Sequence, residues 1–224
     1  MKQVTFFPIF VLLCVICGSL SGCGGQPANT TLLERGNYAM WQGRWSDATT
    51  SFNMAVAQHP GDWEAQYNLG KCYMNLGDPV RASQSLAVAE SLQPGDTEIS
   101  DLYAEALLQG GEQNRLYSYL LRRAQKQQTV RAWTIFAEYA MDLDDPDSAT
   151  NAINTAIAIS DGTNSRPYVL AAMYAERLGD DTLAVTRWQE AWIIDPRDEA
   201  VSSALRAHGI VPGPTMTGVD DTIR

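Results

Sequence analysis

Small residues recur along this chain at a spacing of 34. Gly36 and Gly70, Gly43 and Gly77, Ala48 and Ala82, Ala55 and Ala89, and Pro60 and Pro94 each stand 34 residues apart. The set returns as Gly179, Ala184, Ala191 and Pro196, with Pro196 three periods beyond Pro94. A fixed period of this length constrains the chain to a stack of like units. Each unit is too small to bury its own apolar face and must lean on its neighbours. Two helices and a turn fill one such unit, so the pattern predicts an all-α solenoid.

The units fall at 29–62, 63–96, 97–129, 130–163 and 165–198. The second shows the pattern most fully, with Leu69-Gly70-x-x-Tyr73 in its first helix, Gly77 in the turn, Ala82, Leu86 and Ala89 in its second helix, and Pro94 at its end. Small residues at the eighth, twentieth and twenty-seventh positions let helix backbones approach, and a bulky residue at the twenty-fourth fills the layer between them. Proline at the thirty-second ends the second helix, because it cannot continue the hydrogen-bond ladder. Asp78-Pro79 and Asp145-Pro146 read as an N-cap followed by proline in the first helical position, and Asp180 takes the cap slot in repeat five. These residues resemble the tetratricopeptide repeat (TPR) family across the folded chain. The resemblance implies a right-handed α-solenoid of about five helix-turn-helix repeats plus a C-terminal capping helix, and a binding scaffold rather than an enzyme.

Repeats three and four depart from the pattern. Repeat three keeps Ala104 and Gly111 but has Leu116, Arg123 and Gln128 where Ala, Ala and Pro are expected. Repeat four keeps Ala137, Ala149, Ile153 and Ala156 and lacks the turn glycine and the final proline. Residues 198–207 form a further amphipathic stretch suited to covering the open end of the stack. The solenoid with its cap spans 30–208, and 209–224, with Pro212, Gly213 and Pro214, reads as a flexible tail.

The N-terminus carries a different signal. Lys2 precedes a mostly apolar run from Val4 to Leu20, followed by the small-residue tetrad Leu20-Ser21-Gly22-Cys23. Residues 1–22 therefore read as a secretory signal peptide. The tetrad resembles the lipobox of bacterial lipoproteins, which implies that the Cys23 thiol receives the lipid and that residues 23–29 are the lipidated Cys and a tether. Gly24 after the cysteine resembles the pattern sent to the outer membrane, and the expected place is the bacterial envelope, lipid-anchored and facing the periplasm. With Cys14 and Cys17 in the signal and Cys23 acylated, Cys72 stands alone, so no intramolecular disulfide is expected. Sixteen Lys and Arg against 26 Asp and Glu give a net charge of −10, and removal of Lys2 with the signal makes it about −11. Such a surface argues against nucleic acid as a partner.

Little in the chain points to catalysis. His59 lies in a repeat-ending turn and His208 in the capping helix, where isolated histidines are solvated. No zinc, nucleophile-elbow or phosphate-loop motif occurs. The cluster Asp142, Asp144, Asp145 and Asp147 is the one candidate for a metal, but it lacks the loop glycine and distal glutamate of a calcium loop and coincides with an inter-helix turn. Helix capping explains it better; no cofactor and no metal are expected.

In the TPR family the second, fifth, ninth, twelfth and thirteenth positions of each first helix line the concave groove. Carried over, the resemblance assigns to a peptide-binding groove Leu33, Asn37, Met40 and Trp41 in repeat one, Tyr67, Lys71 and Met74 in repeat two, and Glu105, Glu138, Met141 and Met173 beyond. Glu64, Asn75, Asp101, Leu108, Arg131, Asp142, Arg166, Val169 and Arg177 occupy corresponding positions. Methionine recurs at the twelfth position, and Met adapts to varied apolar side chains; the same residues could instead pack within the superhelix. The groove would be apolar at its N-terminal end and acidic in its middle, suiting a protein or peptide client with a basic or amphipathic segment. A terminal-carboxylate clamp is not expected, because Leu33 stands where such families place Lys. The expected function is a membrane-anchored adaptor in bacterial envelope assembly, with a type IV or Flp-type pilus or secretin assembly factor as the narrower alternative. A metal-dependent enzyme subunit built on Asp144 and Asp145 is the minor one. The sequence leaves the oligomeric state open.

Overall fold

The computed structural model describes residues 28–213. The signal, Cys23 with most of the tether, and the tail from residue 214 lie outside the described residues. Within them the chain forms helix pairs α1 (Asn29–Trp41) and α2 (Trp45–Gln58), α3 (Trp63–Asn75) and α4 (Pro79–Leu92), α5 (Thr97–Gln109) and α6 (Gln113–Gln127), α7 (Val130–Asp142) and α8 (Pro146–Ser160), and α9 (Arg166–Leu178) and α10 (Asp181–Ile194), closed by α11 (Glu199–Ala207). No described helix is long and apolar enough to cross a membrane.

The five intra-pair turns share one closure. Gly43, Gly77, Gly111 and Gly179 all adopt left-handed backbone, with φ between 69° and 75°. The residue after each donates its N–H to the carbonyl five residues back, as Arg44 does to Ala39 at 2.9 Å and Asp180 to Ala175 at 2.9 Å. This is the Schellman arrangement, which satisfies carbonyls at a helix end. Repeat four, which lacks the turn glycine, closes in the same way: Asp144 takes φ 53° and the Asp145 N–H reaches the Ala140 carbonyl at 3.0 Å. An L-residue in this region costs energy that glycine does not. Asp144→Gly is therefore expected to stabilise the protein by up to about 1 kcal/mol and Asp144→Val to destabilise it by about 1–2 kcal/mol. Urea midpoints at unchanged slope would measure both, and equal stability of the two variants would refute the strain.

The second helices end in two ways. Where proline is present, α2, α4 and α10 run 14 residues and stop just before Pro60, Pro94 and Pro196. Without it, α6 and α8 run 15 residues and leave through left-handed Gln128 and Asp161. The starts are capped by side chains. Asp78, Asp145 and Asp180 accept N–H groups at the heads of α4, α8 and α10, and Asp62, Asp96, Thr129 and Asp198 do the same for α3, α5, α7 and α11.

Packing follows the small-residue lattice. A Cβ added at Gly36 would lie 2.6 Å from the Phe52 ring, and one at Gly70 would lie 2.5 Å from Leu86 Cγ. Phe52 and Leu86 are fully buried, so each glycine is the recess into which the bulky residue of the partner helix fits. Cys72 is also fully buried, and burial pushes its thiol up to about 11, as befits a packing residue. Along the stack α1 touches α3, α3 touches α5 and α7 touches α9, whereas consecutive second helices make no comparable contact. The first helices therefore crowd the inner side of the curve and the second helices fan out on the outer side. Repeat three is the exception in tightness. With Leu116 and Arg123 in place of alanines, α5 and α6 form the loosest of the five helix pairs.

Beyond repeat five, Trp188 and Trp192 join Val201 and Leu205 of α11 in a separate apolar cluster. Gly209 and Ile210, placed in the tail on sequence grounds, complete the end of α11: Gly209 has φ 76°, the Ile210 N–H reaches the Leu205 carbonyl at 2.9 Å, and the Ile210 side chain packs on that cluster. His208 is not simply solvated as its position suggested. Its Nε2 lies 2.9 Å from Glu176, which also accepts the Trp188 indole N–H at 2.8 Å, so the capping helix is tied to α9.

Candidate functional site: the inner face of the first helices

The residues assigned to the groove lie on the first helices α1, α3, α5, α7 and α9, but they do different work along the stack. At the N-terminal end Trp41 is 80% exposed and stacks on Tyr38, itself 56% exposed, with ring centroids 5.9 Å apart. Leu33 and Met40 beside them are half-buried against the core. Tyr38 was not among the sequence candidates; its spacing of three from Trp41 is the signal that would have found it. Asn37 accepts a hydrogen bond from the Asn68 amide of the next repeat at 3.3 Å.

Repeat two turns its candidates toward its neighbour. Tyr67 is buried and donates its hydroxyl to Glu98, a second-position residue that sequence reasoning passed over. Burial first, and then the Glu98 carboxylate, raise the Tyr67 phenol above its ordinary range. Lys71 lies 5.1 Å over the Tyr67 ring and 3.9 Å from Glu98. Met74 is half-buried in the core, as is Met141 of repeat four. The packing alternative for the twelfth-position methionines thus holds for much of each side chain.

Farther along, the acidic middle is largely neutralised. Asp101 pairs with both Arg123 and Arg131, Glu138 with Arg166 at 2.6 Å, and Asp144 with Arg177. Every one of these except Asp101–Arg123 crosses a repeat boundary, forming a ladder of ion pairs along the inner face. Such exposed pairs add little stability each, but they remove the carboxylates from the ledger of charges a basic client could meet. Glu105 remains exposed and holds only Gln109, at 2.9 Å. Leu108 and Met173 are more than half exposed or at half exposure, at 58% and 50%. Between Arg131, Glu138 and Arg166 lies a shallow hollow of about 420 Å³, backed by Val130 and Ile135. The acidic turn is engaged as well: Asp145 caps α8 and accepts the Tyr117 hydroxyl at 3.1 Å, which holds its carboxyl below the ordinary range together with the Ser148 bonds. Among the described residues no group of three or more metal-ligating side chains comes together.

Five helix pairs with glycine-closed turns and an inner face of first helices can be set beside known proteins. Residues 39–111 match the tetratricopeptide repeat family. The solved structure of MamA superposes with a TM-score of 0.58 at 20% identity, covering 83% of this chain and 98% of that one. The fold is the TPR solenoid. MamA from Desulfovibrio magneticus RS-1 (residues 41 to the end) gives a TM-score of 0.57 at 15% identity over 76% of this chain and 97% of that one. YrrB, described as a TPR protein with an unusual peptide-binding site, gives 0.56 at 15% identity over 82% and 99%. No curated protein matches the chain. At these identities the likeness concerns the TPR architecture alone and leaves the site and its ligand to be argued from chemistry.

Proposed function

We propose that this protein is a membrane-anchored TPR adaptor that holds a protein or peptide segment along its inner face. The observation that carries the reading is the Tyr38–Trp41 stack. Two aromatic rings of α1 stand in water in the first repeat, on the helix that also carries Leu33 and Met40, without a covering element among the described residues. Aromatic side chains of this kind are the usual anchors of binding energy when a partner covers them. The ion-pair ladder beyond them favours an amphipathic client, whose apolar side chains meet Trp41 and Met40 and whose polar side follows the ladder, over a strongly basic one. Other peptide-binding TPR solenoids such as YrrB support the class of partner by analogy.

The lipobox tetrad ending at Cys23 supports an anchor in a bacterial envelope, with the solenoid held near the outer membrane by its short tether. Envelope assembly is the setting that combination favours, and assembly of a type IV or Flp-type pilus or secretin is its narrower form. A pull-down from detergent-solubilised envelopes tests the reading. The Tyr38→Ala/Trp41→Ala double variant, with unchanged circular dichroism, is expected to lose at least tenfold in affinity for the captured client, about 1.4 kcal/mol or more. In the same preparation Cys23→Ser is expected to shift the protein from the membrane to the soluble fraction. Undiminished capture by the double variant would move the binding site elsewhere, and membrane retention of Cys23→Ser would remove the anchor.

A further inference from the structure

The outer face of repeat three carries a site that the repeat pattern does not supply. At the twenty-seventh position, Ala55, Ala89, Ala156 and Ala191 are fully buried. Arg123 fills that position in repeat three and is itself buried, its side chain 5% exposed. It lines a cleft of about 530 Å³ between α4 and α6. That volume lies within the range that accommodates a ligand's side chain with room for a polar head.

Its chemistry is divided. One wall is apolar: Ala87 of α4 and the rings of Tyr103 and Tyr119, which meet edge to face with centroids 4.7 Å apart. The other is cationic. Arg122, Arg123 and Lys126 line it, and Arg122 and Lys126 make no ion pair among the described residues. Most other cations of this acidic chain are paired. Arg123 spends one amino group on Asp101 at 2.9 Å, and its Nε is buried with no hydrogen-bond partner. The single carboxylate in the cleft, Glu90, accepts the Ser100 hydroxyl at 2.9 Å, and burial raises its pKa. Arg123 and Lys126 act on that carboxylate, so three cations face one carboxylate in the cleft.

We infer that the α4–α6 cleft binds an acidic peptide segment of a partner protein. A bulky apolar or aromatic side chain enters between Ala87 and the two tyrosine rings, and an adjacent carboxylate meets the exposed Arg122 and Lys126 at the rim. Guanidinium groups pair with carboxylates through parallel N–H bonds, which fixes the anion next to the aromatic wall. Local charge sets the choice of occupant: a positive hollow on a protein of net charge −10 selects acidic chains against basic ones. The site is separate from the inner face and stands or falls independently of it.

Fluorescence anisotropy with the full chain in detergent provides the test, using labelled Gly-Asp-Phe-Asp-Gly as probe. Saturable binding is expected, weakened at least tenfold when Phe is replaced by Gly and at least tenfold when both Asp are replaced by Lys. Arg122→Ala/Lys126→Ala, both on the exposed rim, is expected to weaken it at least tenfold with unchanged circular dichroism, while Tyr38→Ala/Trp41→Ala leaves it unchanged. Equal binding of the Phe-less probe would show diffuse charge attraction and overturn the cleft. Equal binding by the rim variant, loss of binding confined to the Tyr38→Ala/Trp41→Ala variant, or no binding at millimolar probe would overturn it too.

Discussion

Gly70→Ala should destabilise the protein by about 1–3 kcal/mol, although alanine is the better helix former by about 1 kcal/mol. The added methyl would sit 2.5 Å from Leu86 Cγ and 2.8 Å from Cδ2, and Leu86 is fully buried with no room to withdraw. Leu86→Ala alone should cost about 2–5 kcal/mol through the cavity it leaves. Together the two changes should cost less than their sum, because the new methyl enters space that Leu86 vacated and the helix keeps its propensity gain. Urea unfolding of the four proteins in this cycle gives the coupling directly. Strict additivity would mean that the glycine is there for some reason other than the close approach of α3 and α4.

The second large effect concerns Arg123. Asp101→Ala should cost about 2–4 kcal/mol, since it leaves a guanidinium with 5% exposure whose Nε already lacks a partner. The figure sits toward the lower part of what breaking a buried pair costs, because the Asp101 side chain is 38% exposed and its bond to Arg131 is a surface one. Arg123→Met, which removes the charge and keeps much of the volume, should be close to neutral, and Asp101→Ala in that background should lose most of its cost. Chemical denaturation with coincident fluorescence and circular dichroism measures this. A large loss for Arg123→Met would instead show that the arginine's hydrogen bonds, and not its unpaired charge, hold repeat three together.

The architecture was legible because it rests on steric requirements that leave a mark at fixed intervals. Gly36 and Gly70 had to be glycine to admit Phe52 and Leu86, and Pro60, Pro94 and Pro196 had to end helices, so the period survived. Repeats three and four were harder to read because a different residue solved the same problem. Asp144 adopts the left-handed turn that glycine adopts elsewhere, and Gln128 and Asp161 end helices that proline would have ended. The roles of the residues assigned to the inner face were not legible. Spacing puts Tyr67, Lys71 and Glu138 on it, yet their partners Glu98 and Arg166 come from the following repeat, and a one-repeat view cannot show that their polar groups are already engaged. Arg123 looked like mere divergence. Only the packing shows that it lines a cleft between α4 and α6.

The fanning of the second helices has a mechanical meaning. In a stack where contacts run between neighbours, a bend is shared out in inverse proportion to the stiffness of each junction. The α5–α6 pair is the least tightly joined of the five and the α8–α9 junction is joined little more tightly, so a bend of the stack is expected to concentrate at these two places. The first of them lies beside the outer cleft and carries Asp101, so a bend there would change the spacing of the inner rungs on either side.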